Sequence, residues 1–299
     1  MFIRDFLSSG APSISFEFFP PKSDESVLQL ERTIAELRPL EPAFVSVTWG
    51  AGGSTREKTI DIVSRIKSET GIEAMAHLTC VGAARGDIDG ILSRLTAAGV
   101  KNVLALRGDP PKGQTSFAAV EGGFRYASEL VAFIRQQHGR KLCVGSAAYP
   151  EKHPECGNPA VDLVNLKRKV DEGLDFLVTQ LFFENRHYWE FVERARAIGI
   201  GIPIIPGIMP ITNAAQIEKM TVMCGATLPF KLAAELDRRR NDPQAVMQLG
   251  VAHATSQCID LLTNGAPGIH FYTQNRSHAT RDIFKALSAM GFTRAGATA

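Results

Sequence analysis

The sequence lacks any close pairing of cysteines. Its five cysteines, Cys80, Cys143, Cys156, Cys224 and Cys258, are scattered without a CxxC spacing, which argues against a disulfide framework and a thiolate zinc site. His153 and Cys156 lie three apart but have no further ligands at suitable spacing, so no metal is expected. A strong charge of either sign is missing too. With a net charge of +2 and no long basic stripe, nucleic acid is not an expected partner. Arg238-Arg239-Arg240 reads as a solvated helix end, with a phosphate site as the alternative. The N-terminus has no signal-peptide h-region, and the apolar run from Gly199 to Ile211 is broken by Pro203, Pro206 and Pro210. Neither secretion nor a membrane span is indicated, and the expected location is the cytoplasm. A dinucleotide fingerprint is absent, because Gly50-Ala51-Gly52-Gly53 lacks the third glycine of GxGxxG. Low-complexity stretches and linkers are absent as well. With 44% hydrophobic residues the chain can build a large core, and a single domain over 1–299 is expected.

What is present is a recurring unit. Short apolar segments run from Ser13 to Phe19, Phe44 to Gly50, Ala74 to Cys80, Asn102 to Gly108, Leu142 to Tyr149, Phe176 to Phe183, Ile202 to Met209 and Gly268 to Asn275. Amphipathic segments such as Ser26 to Leu37, Arg56 to Thr70, Gly90 to Ala98 and Val161 to Glu172 lie between them and read as crossover helices. Eight such units in one chain predict an α/β fold of the (β/α)8, or TIM, barrel type. The long interval before the last strand predicts extra helices over Ala214 to Cys224, Phe230 to Arg238 and Gln244 to Leu262. Several strands finish on a polar group: Glu17, Thr48, His77, Arg107 with Asp109, Tyr149, Gln180, and Tyr272 with Asn275. In such a barrel the carboxyl ends of the strands carry the function.

Glu17 closes the first strand. Alternation places Ile14, Phe16 and Phe18 on one face and Ser13, Ser15 and Glu17 on the other, so Glu17 is expected to face inward among small residues. Burial is then expected to raise its pKa and make it a proton donor near neutral pH. The same placement also fits a strand-end Glu paired with an Arg or Lys. On the segment from Val161 to Val170, Asp162, Asn165 and Lys169 fall on one stripe beside Leu163, Leu166 and Val170. An acid, an amide and a cation so aligned suit a ligand with hydroxyls and phosphate, while an ordinary solvated face with an intrahelical ion pair is the competing reading. The connection opened by Arg107-Gly108-Asp109-Pro110-Pro111 and running through Gly113, Gly122 and Gly123 reads as a lid over a site.

Seven pieces taken together resemble the methylenetetrahydrofolate reductase family: Phe16-Glu17-Phe18-Phe19-Pro20-Pro21, Val45-Ser46-Val47-Thr48-Trp49-Gly50-Ala51, His77-Leu78-Thr79-Cys80, Leu106-Arg107-Gly108-Asp109, Ala147-Ala148-Tyr149-Pro150-Glu151, Asn165-Leu166-Lys167-Arg168-Lys169 and Phe271-Tyr272-Thr273-Gln274-Asn275-Arg276. Single pieces are weak; their order and barrel-strand spacing make the resemblance specific. It implies FAD as cofactor, NADH or NADPH as reductant, and reduction of 5,10-methylenetetrahydrofolate to 5-methyltetrahydrofolate in a ping-pong cycle, within one-carbon metabolism and methionine biosynthesis.

The resemblance also implies residue roles. Glu17 matches the acid that protonates the folate, and Asp109 the carboxylate at the junction of flavin and folate. Gln180, Gln216 and Arg276 match substrate-side positions, and Thr48 a residue near the nicotinamide. Cofactor contacts would come from Trp49, Ala51, His77, Arg107, Gly108, Tyr126, Tyr149, His153, Asp162, Asn165, Arg168 and Lys169, with Cys156 near the FAD phosphates or ribose at a position that is small in relatives. Met220 stands where some bacterial members have an aromatic residue. A homo-oligomer is expected from relatives of this length. No regulatory domain and no inhibition by S-adenosylmethionine are expected. A flavin-free barrel lyase or aldolase and a silent folate- or nucleotide-binding barrel are the alternatives, although the lyase wants a strand-end lysine that the candidate strands do not supply.

Overall fold

The computed structural model describes residues 1–50, 55–110, 113–114 and 116–293. Parallel strands β1 (Ser13–Phe18), β2 (Phe44–Val47), β3 (Ala74–Thr79), β4 (Asn102–Leu106), β5 (Cys143–Ala148) and β6 (Phe176–Thr179) pair in sequence order. Two dipeptides follow, β7 (Ile204–Ile205) and β8 (Gly207–Ile208), and then β9 (Gly268–Tyr272). The segment from Ile202 to Met209, expected as one strand, is therefore divided at Pro206. Proline has no N–H for a ladder, and the chain changes neighbours there. Ile204 and Ile205 pair with β6, whereas Gly207 and Ile208 pair with β9. Since β9 also pairs with β1, the ring closes as a (β/α)8 barrel whose seventh strand is in two pieces.

Alternation along the strands separates two cores. Phe16, Phe18, Val45, Val47, Ala76 and Leu78 point outward and are buried against the surrounding helices. Inside the ring, Phe44, Met75, Leu104, Cys143, Phe176, Val178 and Ile205 form a separate cluster. Gly145 shows how tightly that layer is filled: a Cβ there would stand 2.4 Å from the Phe176 ring. Ile3, on the short helix α1 (Ile3–Leu7), joins the same cluster and closes the amino end of the barrel, its N–H donating to Asn102 Oδ1 at 2.9 Å. Nearby, Asp175 accepts from Arg135 and Arg140, each at 2.6 Å. That end serves stability.

The outer layer consists of α2 (Asp24–Leu37), α3 (Arg56–Arg65), α4 (Arg85–Ala97), α5 (Ala127–His138), α6 (Pro159–Asp171), α7 (Asn185–Ala197) and α11 (His278–Ala289). The cap of α6 is local: Asn158 accepts from the N–H groups of Ala160 and Val161, and Pro159 occupies the first turn, where no N–H is needed. Between β8 and β9 run α8 (Ala214–Cys224), α9 (Phe230–Arg238) and α10 (Pro243–Thr263), within a residue of the expected helices. Their apolar faces cover Leu181, Phe183 and Met209 in a further cluster beside the mouth. The three arginines at the end of α9 are ion-paired, Arg238 and Arg239 with Glu235 and Arg240 with Glu218. Among the described residues no helix is long and apolar enough to cross a membrane.

Candidate active site

A cavity of about 1370 Å³ opens at the carboxyl ends of the strands, where the polar strand-end residues converge. Glu17 stands at its floor, and the side chain is 8% exposed. Its Oε2 lies 3.3 Å from His77 Nε2 and 3.6 Å from His270 Nε2. His270 is fully buried. It is held by Ser15 Oγ at 2.8 Å on Nδ1 and by Ser46 Oγ at 3.2 Å on Nε2, and it stacks on Phe44. The inward face of β1 thus carries Ser15 and Glu17 as alternation requires.

The expectation of a raised Glu17 pKa is overturned. Burial does push the carboxyl up, but His270 and His77 beside it outweigh burial and bring it down to about 2. In the ligand-free protein Glu17 is a carboxylate. The segment around Glu17 gave no sign of this, because both imidazoles come from other strands.

Along β2 to β4 the cavity wall carries Thr48, Trp49, His77, Thr79, Arg107, Gly108 and Asp109. Trp49 Nε1 and Thr79 Oγ1 are buried with no hydrogen-bond partner among the described residues, and buried polar atoms seldom remain so unless a ligand or water meets them; His77 Nε2 beside them has only the Glu17 carboxylate, at 3.3 Å. Gly108 has φ +86°, and a Cβ there would come within 2.9 Å of Thr79 Cβ and Val81 Cγ1. Arg107 is bound through both nitrogens by Glu155, at 2.6 and 2.5 Å, and its guanidinium lies 5.2 Å above the centre of the Phe117 ring. Asp109 is exposed at the rim. The connection beyond it returns through Gly123, which bridges to Ala84, and through the fully buried Phe124, to Tyr126 on the cavity wall.

The wall from β5 to α6 carries Tyr149, His153, Cys156, Asp162, Asn165, Arg168 and Lys169. Tyr149 and His153 pack edge to face, 4.6 Å between centroids. Asp162 Oδ2 accepts the N–H of His153 at 3.0 Å, tying the loop to the helix. Lys169 Nζ donates to Ala147 O at 2.6 Å, and burial lowers its pKa to about 8, partly offset by Asp162. The stripe of Asp162, Asn165 and Lys169 therefore faces the cavity, and the intrahelical ion pair of α6 is Lys167 with Asp171, at 2.5 Å. Among the described residues no group of three His, Cys, Asp or Glu side chains could hold a metal ion.

On the far side, Gln180 lines the cavity with its Oε1 taken by the N–H of Leu181 at 2.9 Å. Gln216 does not line it; its Nε2 donates to Gln274 Oε1 at 2.8 Å, and Gln274 does. Arg276 is exposed and outside the lining, and Ala51 lies outside the described residues. Met220 lines the cavity beside Met209. Sequence reasoning did not single out His270, Gln274 or Glu155. His270 could have been found by alternation, since it shares the inward face of the last strand with Tyr272. Nothing local marks Glu155 as the partner of Arg107.

Comparison with known proteins bears on this arrangement. The family model described as Methylenetetrahydrofolate reductase matches residues 2–288. A protein of Arabidopsis thaliana named methylenetetrahydrofolate reductase (NADH) 1 is 41% identical over 282 residues, covering 91% of this chain and 48% of its own length. A 5,10-methylenetetrahydrofolate reductase of Pectobacterium carotovorum subsp. carotovorum is 37% identical over 280 residues, covering 93% of this chain and 91% of its own. The chain spans about half the length of the plant relative and most of the bacterial one. A solved structure, described as an uncharacterized protein from Clostridium thermocellum that binds two copies of 5-methyl-5,6,7,8-tetrahydrofolic acid, shares the fold with a TM-score of 0.62 at 16% identity, covering 97% of this chain and 98% of that one. With the family match running through nearly all of the barrel that builds the cavity, the chain belongs to the methylenetetrahydrofolate reductase family.

Proposed function

We propose that this barrel reduces 5,10-methylenetetrahydrofolate to 5-methyltetrahydrofolate, using FAD and a reduced nicotinamide dinucleotide. The observation that carries the reading is the pair of buried atoms Trp49 Nε1 and Thr79 Oγ1, without a partner among the described residues, on the wall of a cavity whose floor holds Glu17 paired with His77. At about 1370 Å³ the cavity exceeds the roughly 300–1,000 Å³ usual for one small ligand, so a flavin and a second ring system can share it.

The residues present fit a flavin dinucleotide. Trp49, His77, Arg107, Tyr126, Tyr149, His153, Asp162, Asn165, Arg168 and Lys169 would hold it, with Asp162 accepting from hydroxyls and the cations facing phosphate. Bound flavin supplies hydride transfer, chemistry that no side chain here provides. The protein's own part is proton delivery and charge. Glu17, ionised in the ligand-free site, passes a proton to the substrate's ring nitrogen, which opens the five-membered ring to a cationic iminium. The resting ionisation means that this proton arrives with or after the substrate, through the cluster of Glu17, His77 and His270. Asp109 stabilises the cation by its negative charge. Ser15 and Ser46 fix His270, and through it the orientation of the Glu17 carboxylate.

Anaerobic titration of the purified protein with NADH and with NADPH, watching the flavin absorbance bleach, tests the reading. The plant relative carries NADH in its name, so NADH is the first reductant to try. Colourless protein that takes up no added FAD would sink it. A lyase reading has one observation in its favour, the cavity-lining Lys169 with its pKa lowered to about 8, as a Schiff-base lysine requires. Borohydride trapping of a carbonyl adduct on Lys169 would support that reading instead.

A further inference from the structure

Two consecutive non-glycine residues at the end of β9 adopt the left-handed conformation, Gln274 at φ +53° and Asn275 at φ +56°. Such a pair costs backbone energy, and strain of this kind gathers where a side chain must be aimed. The surroundings hold the turn in place. Asn275 Nδ2 donates to Phe19 O and its Oδ1 accepts the N–H of Phe19, both at 2.9 Å, while its carbonyl accepts from Thr33 and Gln29. Gln274 is thereby held on the cavity wall that Tyr272 also lines.

The amide of Gln274 is polarised in one direction. Its Oε1 accepts from Gln216 Nε2 at 2.8 Å, so the NH2 group faces the cavity side, where its acceptors among the described residues are the thioethers of Met209 and Met220, each at 3.1 Å. Thioether sulfur is a weak acceptor. A carbonyl oxygen entering the cavity would displace it. The same two sulfurs are good neighbours for an aromatic ring, through polarizable contacts with its edge or face. Two thioethers beside one outward-facing amide donor complement an aryl ring that bears a carbonyl.

Position selects which part of the substrate this would be. Tyr272 pairs in register with Glu17, and Gln274 lies two residues further toward the mouth. A ring protonated by Glu17 therefore sits deeper than Gln274, and the arm that leaves that ring passes it. We infer that Gln274 is a substrate-binding residue whose amide donates to the benzoyl carbonyl of the folate's aminobenzoyl-glutamate arm, with Met209 and Met220 against the aryl ring. This rests on the folate reductase reading and adds the recognition of the arm to it.

The test compares Gln274→Leu and Gln274→Asn with the parent protein. Asparagine tolerates the left-handed turn and withdraws the amide by one methylene, so it serves if the leucine variant does not fold. Bound flavin and the melting temperature report folding in each. Two ligands are compared: methylenetetrahydrofolate by its KM, and 6-methyltetrahydropterin, which lacks the arm, by its competitive inhibition constant. Loss of one hydrogen bond should raise the KM by about 3- to 10-fold with a smaller change in kcat, and leave the pterin constant within about twofold. An unchanged KM, or equal weakening of both ligands, overturns the inference while leaving the folate reductase reading intact. A parent protein that binds no flavin and reduces no folate removes both.

Discussion

Glu17 Oε2 lies 3.6 Å from His270 Nε2, and the imidazole is pinned from behind by the hydroxyl of Ser15, two residues before Glu17 on the same strand. The first and last strands of the barrel thereby act on one carboxylate. Its charge is set by that contact together with His77, since burial alone would raise the pKa. If Glu17 only stabilises the fold, its neutral amide isostere should impair every activity alike. The proposed role predicts a split. Glu17→Gln should keep flavin binding and bleaching by nicotinamide, and lose folate reduction by about 10²- to 10⁴-fold, the range usual for a general acid. Stopped-flow measurement of each half-reaction checks this, and equal loss in both would remove the assigned role. Asp109→Asn should slow the folate half-reaction more than the flavin half-reaction in the same assay.

His270 makes a second prediction through its effect on Glu17. With the imidazole gone, burial is less opposed, so the carboxyl in His270→Gln should titrate at higher pH than about 2. The infrared band of a protonated, buried carboxyl would appear at higher pH in the variant, and Glu17→Gln would abolish it. The sign extends to stability. A carboxyl depressed on folding stabilises the native state above its unfolded pKa of about 4.5, and that contribution is lost as pH falls toward about 2. Raising the folded pKa shrinks the contribution.

The barrel was legible because each strand is a short apolar run closed by a polar residue, a pattern set by burial on both faces and by chemistry at one end. The division at Pro206 was less so, since Pro203 and Pro210 lie nearby and only the pairing partners show where the chain changes neighbours. The ionisation of Glu17 was misread because it depends on two side chains distant in sequence. Alternation gives the face of His270 but not its partner. Alternation also puts Gln274 on the face of His270 and Tyr272, but its positive φ lies beyond the extended strand, where only the structure shows that the inward placement persists. The stripe of Asp162, Asn165 and Lys169 was legible as a stripe, and only the packing of α6 shows that it faces the cavity.

Lys169 predicts how flavin affinity depends on pH. Burial lowers its pKa to about 8, so near that pH the ligand-free protein holds a mixture of ammonium and amine. A phosphate nearby favours the ammonium, raises the pKa and couples binding to proton uptake. Affinity for FAD should therefore be full below about pH 8 and fall as pH rises through it, by up to about tenfold per unit. Fluorescence titrations of the apoprotein with FAD between about pH 6.5 and 9.5 measure the slope. Lys169→Met should bind more weakly and show no inflection near 8; an inflection that survives the substitution would assign it to another group.

Gly108 offers a stability prediction at the same mouth. With φ +86° it occupies backbone space that an L side chain rarely enters, and its neighbours leave no room for one. A methyl group would meet Thr79 Cβ and Val81 Cγ1 at 2.9 Å, and both belong to the chain at and just beyond the end of β3. Turning Val81 could move its methyl, but Thr79 Cβ is bonded directly to the backbone, so relief of both contacts requires the backbone to move. Gly108→Ala should cost about 1–3 kcal/mol in urea unfolding, from left-handed strain and the two contacts together. Movement of that backbone also shifts Arg107 and Asp109, its neighbours in sequence. The variant should thus lose flavin affinity beyond what its lower stability explains, read by FAD titration at a temperature where it is fully folded. A destabilised variant with unaltered FAD affinity would show that Gly108 serves packing alone.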